Sequence, residues 1–328
     1  MVSLSFLNFT FSNLSPNITV AQDGTGDVRS IGEAVQAAPN NNNFIFTIYI
    51  KEGMYYENIR ITREKKNLVI YGDGMNNTII ISNRSNSSGF GIQDSATLDV
   101  STDYFLAKNI GIVNYAGPEG NQAVALRVSG IYHYAFYNCS IMGYQDTLYM
   151  KEGNIFFREC KIYGTVDFIF GDAAGILQNS FIYARRPIPG QQNVVTAQGR
   201  TKANGTAAIV IHNCTITGSP GEYDPTVITY LGRPWKTFSR TIIMQSYLDS
   251  IIDPKGWVKF NETSDLSSLY YVEYDNGGPG ADTDGRVNWP GYHASKNKDD
   301  VQQFTVQKFF EDTDWLRRVD VPFTSGLL

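Results

Sequence analysis

A chain of 328 residues with 42% hydrophobic content can bury a large core, either as one big all-β unit or as two smaller domains. Its net charge of −5 and pI near 5.3 argue against nucleic acid or an anionic membrane as a partner. No stretch is apolar for long enough to read as a membrane-spanning helix, and an 18% charged content with abundant Gly, Asn, Tyr and Phe suits a turn-rich β protein.

Residues 1–17 open the chain as MVSLSFLNFTFSNLS and two further residues. No Lys or Arg precedes the apolar positions, and Asn8 and Asn13 interrupt them, so the segment reads as a partial or trimmed extension rather than a signal peptide. Ser30 followed by Glu33 forms a capping box, and Ile31, Ala34, Val35 and Ala38 make one apolar helix face that Pro39 ends. This helix is expected to cover the open end of a coil. Beyond it the chain breaks into short strands with no helix-period segment between them. One pattern recurs: an apolar position, a polar or amide residue, a small residue, then Ile or Leu. The small or apolar position falls at Ile110, Cys139, Cys160, Ser180, Cys214 and Ser246, with the closest spacing about 20 residues. Stacked rungs of that length predict a solenoid, an all-β parallel β-helix with atypical ends. A sandwich would need more hairpin signals than Asn204-Gly205 and Asn276-Gly277 supply. Residues 275–291 read as a long loop. Residues 299–318 place Val301, Phe304, Phe309, Phe310, Trp315 and Leu316 among charges, which predicts short helices on the outside of the stack.

Two modification signals accompany this organisation. Asn-x-Ser/Thr sequons at Asn8, Asn13, Asn17, Asn76, Asn83, Asn86, Asn204 and Asn261 point to a secreted glycoprotein. The three cysteines are odd in number, so at least one has no internal partner.

The chemistry concentrates in GYQDTLY (143–149) and GTVDFIFGDAA (164–174), which set Asp146 and Asp167 about one rung apart among apolar neighbours. An unpaired carboxylate is costly to bury there, so each acid is either a fully bonded structural residue or chemically employed. His133, His212 and His293 are scattered without ligand spacing and read as non-catalytic.

With GMYYE (53–57), QAVAL (122–126), GYQDTLY, DFIFG (167–171) and LGRPW (231–235) in this order, the chain resembles the plant-type pectin methylesterases (pectinesterases) from about Ile18 to Phe323. The resemblance implies a right-handed parallel β-helix with short capping helices, a single catalytic domain over 18–328, and no metal or cofactor. It implies hydrolysis of the C6 methyl ester of galacturonate in pectin, in the cell wall. Asp167 matches the nucleophile, Asp146 the general acid and base, Arg233 the partner of Asp167, and Gln122 and Gln145 the oxyanion donors. Trp235 matches an aromatic substrate-binding position, alongside Gln122 and Arg233. Tyr144, Tyr149, Phe168 and Trp257 are further candidates to line the groove, and Glu57 and Tyr55 support the first coils. Pectin is the implied partner of a monomer, with a proteinaceous inhibitor as a second.

The chain departs from that family in several places. Ser180 stands where many members have a cysteine one rung after Cys160, leaving Cys160 as a free thiol stacked near Cys139 or bridged to it. Asp172 replaces a common Asn, which is expected to raise the pKa of a neighbouring acid and to oppose product-like carboxylates. Ile92 replaces a common Thr, putting one substrate contact in doubt. The acidic pI predicts weak retention on de-esterified pectin, and the pro-region of some members does not precede the matched segment. Two alternatives stay open: another pectin-acting β-helix enzyme, a polygalacturonase or lyase, and an inactive relic that still grips pectin.

Overall fold

The computed structural model describes residues 15–328. The N-terminal reading and the sequons at Asn8 and Asn13 lie outside them. The chain winds as a parallel β-helix: three sheets of 11, 8 and 7 strands run side by side, and each rung gives at most one strand to each sheet. Every strand pairing is parallel, and each strand meets the matching strand one rung on, for example Leu106↔Ala135↔Phe156↔Ile176 in the 11-stranded sheet.

This stacking turns the sequence repeat into columns. On the inner face of the 11-stranded sheet, Ile48, Ile70, Ala107, Phe136, Phe157, Leu177, Ile211 and Ile243 follow one another in register, all buried in one core. Phe136 and Phe157 stack with centroids 4.9 Å apart. Truncating either to Ala is expected to cost about 3–5 kcal/mol. The column ends at Glu273, buried and held by Arg286 at 2.8 and 3.0 Å, by Trp257 Nε1 at 3.1 Å and by the Tyr292 hydroxyl at 3.1 Å.

The repeat's polar position has a backbone reason. Asn109, Asn138, Glu159, Asn179, Asn213 and Gln245 all have positive φ, between 51° and 56°, and sit at the corner between the 11-stranded and 8-stranded sheets. Asn tolerates this left-handed region better than most residues. Asn138 Nδ2 donates to Asn109 Oδ1 at 2.7 Å, and Asn213 Nδ2 to Asn179 Oδ1 at 3.0 Å, so the corners are also laced between rungs. The next residue points inward, which is why it is small or apolar. Cys139 and Cys160 stack there as expected but form no disulfide. Both are free buried thiols whose Sγ–H groups donate to backbone carbonyls of Ala107 or Tyr137 and of Phe136 or Arg158.

The helices near the two termini lie as the sequence predicts, the first against the core of the first coils and the last ones outside the stack. The helix Ile31–Ala37 (α1) has its capping box at Ser30 and Glu33, and Ile31, Ala34 and Val35 pack into the core. Glu57 accepts from the N–H groups of Ile31 and Gly32, both at 2.9 Å, and so anchors the helix start. Near the other end, helices Val306–Phe309 (α2) and Asp314–Arg318 (α3) lie against the outer face of the 11-stranded sheet. There Val301, Phe304, Phe310, Trp315 and Leu316 cover Leu106, Phe156, Ile176 and Val210. All three histidines lie on strands of this covered sheet. The 7-stranded sheet instead presents polar and aromatic side chains outward, in the register Arg60↔Asp99↔Arg127↔Tyr149↔Phe170.

Candidate active site

The site sits at the entrance to the strands of the 7-stranded sheet. Strands Leu148–Met150 and Ile169–Gly171 pair Leu148 with Ile169 and Tyr149 with Phe170, so Asp146 and Asp167 stack one rung apart just before them. The Asp146 N–H donates to the Val166 carbonyl at 3.0 Å, which fixes this register. Both acids have positive φ, 63° for Asp146 and 51° for Asp167. That turn interrupts the strand alternation at each acid.

The two carboxyls have different surroundings. Arg233 grips Asp167 through two parallel hydrogen bonds, Nε to Oδ1 at 2.7 Å and Nη2 to Oδ2 at 2.6 Å. Arg233 follows the strand Thr229–Gly232, two rungs beyond Asp167. The intervening rung offers only the small side chain of Ala197 between Phe170 and Arg233, so the guanidinium can reach across. Phe260 supports it from behind, its ring centroid 4.7 Å from the guanidinium carbon. Asp146 is 6% exposed, and its carboxyl finds no hydrogen-bond partner among the described residues.

The electrostatics follow from that difference. Burial and then the neighbouring Asp167 push Asp146 well above the usual carboxylate range, against the pull of Arg233. Burial also raises Asp167, but the Arg233 hydrogen bonds and charge oppose it directly. Both carboxyls are thus raised by burial, Asp146 the more strongly, and only Asp167 has a cation bonded to it that opposes the rise. Asp172 is not among the groups that perturb either acid, contrary to expectation. It is an exposed residue at the far end of the strand, where its charge is screened by water.

Gln145 precedes Asp146 directly, and Gln122 lies one rung earlier, since the Ala123 N–H donates to the Gln145 carbonyl at 3.2 Å. Both are half-buried, and neither side-chain amide is bonded within the described residues. Two free N–H donors thus accompany two carboxyls at one place.

The aromatic floor differs in part from the sequence reading. Trp235 is half-buried and meets Phe170 edge-on at 6.0 Å. Its indole lies over Gly199, where a Cβ would come within 2.7 Å of Cε3. Tyr149 stacks on Phe170 at 4.4 Å, and Ile92 packs against the same cluster. A cavity of about 290 Å³ opens beside Trp235, lined also by Pro234, Phe260, Asn261 and Asp265. Phe168, by contrast, is fully buried in the core and lines no groove. Trp257 is 1% exposed, packs on Tyr271 at 4.4 Å and donates to Glu273, so it belongs to the end of the core column. Tyr144 is engaged by Arg185, whose guanidinium lies 3.8 Å from the ring centroid and donates to the phenol oxygen at 2.8 Å.

Phe170 and Phe260 were missed. Aligning GYQDTLY with GTVDFIF puts Phe170 level with Tyr149, and Phe168 level with the buried Thr147. That alignment was the available signal for Phe170. Phe260 lies in an irregular segment and has no comparable signal.

Fold and site together define a parallel β-helix protein with two carboxyls stacked beside an aromatic-lined outer sheet face. The chain belongs to the pectinesterase family, whose match spans residues 17–313. It is 49% identical over 313 residues to pectinesterase 2 of Citrus sinensis and 48% identical over 320 residues to probable pectinesterase/pectinesterase inhibitor 7 of Arabidopsis thaliana. These alignments cover 95% and 96% of this chain but 61% and 55% of those relatives, so the chain spans little more than half their length. The structure of pectin methylesterase from carrot matches with a TM-score of 0.93 at 44% identity, over 96% of this chain and 99% of the carrot chain. That of pectin methylesterase from Aspergillus niger matches with a TM-score of 0.76 at 31% identity, over 89% and 96%.

Proposed function

We propose that this chain is a pectin methylesterase, hydrolysing the C6 methyl ester of galacturonate units to a carboxylate and methanol. The observation that carries the reading is the asymmetry of the acid pair. Asp167 is held by Arg233 in two short hydrogen bonds, while the carboxyl of Asp146, stacked beside it, has no hydrogen-bond partner among the described residues.

In this reading one oxygen of the Asp167 carboxylate attacks the ester carbonyl carbon. Arg233 keeps the attacking carboxylate ionised and in place. The carbonyl oxygen becomes an oxyanion and accepts hydrogen bonds from the Gln122 and Gln145 amides, which donate without titrating. Asp146 gives its proton to the methoxy oxygen and methanol leaves, so Asp167 becomes acylated as an anhydride. Asp146, now a carboxylate, takes a proton from water. The resulting hydroxide attacks the acyl carbon, Asp167 departs as a carboxylate, and Asp146 is again protonated. Trp235, Tyr149 and Phe170 offer apolar surface to the sugar rings. The names of the Citrus, carrot and Aspergillus relatives support this activity.

The same reading makes residues 18–328 one catalytic unit that works as a monomer on methylesterified homogalacturonan. Secretion to the cell wall as a glycoprotein is supported by the exposure of Asn17, Asn76, Asn83, Asn86, Asn204 and Asn261. An inhibitor protein that covers the cleft is a second proposed partner. Methanol release from highly esterified pectin without shortening of the polymer is the deciding assay. Asp167→Asn is expected to fold normally and lose nearly all turnover. Depolymerisation, or substantial residual hydrolysis by that variant, overturns the assignment.

A further inference from the structure

The rim of the cleft carries a charge that the reaction does not use. One residue beyond the floor pair Tyr149↔Phe170, the strands continue in register through Gly171↔Gln198, and the Gly199 N–H donates to the Gly171 carbonyl at 2.8 Å. The Trp235 N–H donates to the Gln198 carbonyl at 3.2 Å. The Gly171 carbonyl and Trp235 Cε3 both lie against Gly199, 3.3 and 2.7 Å from where its Cβ would be, which brings Asp172, the residue after Gly171, near the indole. Gly199 has no side chain, and the Trp235 indole lies over it, towards the rung of Asp172. Asp172 is exposed and makes no hydrogen bond or ion pair among the described residues.

Cations lie close by: Arg200 and Lys202 act on Asp172, and the Lys236 ammonium lies 4.9 Å from the Trp235 ring centroid, so Asp172 works by offsetting their attraction. Arg200 is 7% exposed and spends its guanidinium on the carbonyls of Phe238, Ala203 and Gly205, at 2.6, 3.0 and 3.1 Å. Lys202 is an exposed, hydrated point charge, and Glu152 adds negative charge on the other side. Whatever the local sum, an unpaired carboxylate beside the sugar-binding indole makes the potential there more negative by one charge.

We propose that Asp172 makes the cleft discriminate between neighbouring sugars, favouring a methylesterified uronate beside Trp235 over an ionised one. The inference rests on the esterase reading above. A methyl ester is neutral and meets no repulsion, whereas a free uronate brings a second negative charge into the same place. At contact distance in a largely aqueous rim, the difference is expected to be roughly threefold to fivefold at low salt, and to fade as salt screens it. Its consequence is a product pattern. Each ester removed disfavours the next attack alongside it, so free acids are scattered along the polymer rather than laid down in runs.

The experiment compares wild type, Asp172→Asn and Asp172→Glu on highly esterified pectin and on the same polymer partly de-esterified with alkali. The quantity read is the ratio of kcat/KM on the second substrate to that on the first. Asp172→Asn is expected to raise this ratio roughly threefold to fivefold at low ionic strength and to lose the gain at high salt. It should also lengthen the runs of free uronate seen by NMR, while Asp172→Glu keeps the wild-type ratio. An unchanged ratio, or a gain that salt does not remove, overturns the proposal while leaving the esterase reading intact. Absence of methanol release by all three proteins overturns both.

Discussion

Removing Arg233 tests the division of labour between the two acids. Its side chain is 24% exposed and that of Asp167 11%, so the bidentate pair sits largely out of water. Deleting one partner of such a pair typically costs about 3–5 kcal/mol, because a buried charge is left alone. Asp167 can escape that cost by taking up a proton. The Asp167 pKa is therefore expected to rise further in Arg233→Ala, since the cation that opposes burial is gone. Asp146 rises too, since Arg233 also pulls its pKa down. In the proposed mechanism only ionised Asp167 attacks, so the acid limb of kcat/KM against pH should move up, and activity on that limb should fall by about 10²–10³. Arg233→Lys keeps a charge but loses the fork, and should fall between the two. The assay is methanol release on esterified pectin across pH for the three proteins. An acid limb that stays in place while KM alone rises would refute the argument.

Asp146→Asn should stabilise the fold while abolishing turnover. The folded carboxyl holds its proton more tightly than the unfolded one, so its contribution to stability is full at low pH and is lost as pH rises through the folded pKa. The variant's Tm should exceed that of wild type near neutral pH and converge with it below about pH 4, and parallel curves would contradict this. Gln122→Ala should lower kcat by on the order of 10²–10³ with little change in KM, because the amide acts on charge formed in the transition state. Its Tm should barely move, since the amide has no bonded partner within the described residues. Gly199→Ala should displace the Trp235 indole, whose Cε3 lies 2.7 Å from the new methyl position, and raise KM more than it lowers kcat. Equal KM values for wild type and variant would remove Trp235 from substrate binding.

The parts of this molecule that were legible in the sequence are those that repeat. The stacked small residues at Cys139, Cys160, Ser180 and Cys214 declared the coil because each rung must reproduce the same inward step. The capping box at Ser30 was legible because it satisfies backbone donors locally. The acids and Arg233 were legible through motif resemblance, and the register then brought them together across as many as 66 residues of chain. The aromatics misled where alternation was reset. Phe168 precedes the strand Ile169–Gly171 and packs into the core together with Ile169, so the alternation begins only at Ile169 and puts Phe170 on the floor. Trp257 misled for another reason: its destination depends on Glu273 and Tyr271, which sequence spacing does not place beside it. The thiols of Cys139 and Cys160 lie level on adjacent rungs, yet each points at backbone carbonyls, a side-chain orientation no spacing encodes.

The turns that carry Asp146 and Asp167 have one more implication. Their backbones occupy the same left-handed region as the corner asparagines, a region that Asn enters more readily than most residues. Exchanging either acid for its amide therefore asks nothing new of the main chain. A silent descendant that still holds the polymer lies a single substitution away. Descent in this lineage can thus discard hydrolysis without first dismantling the scaffold, leaving an intact groove free for other employment.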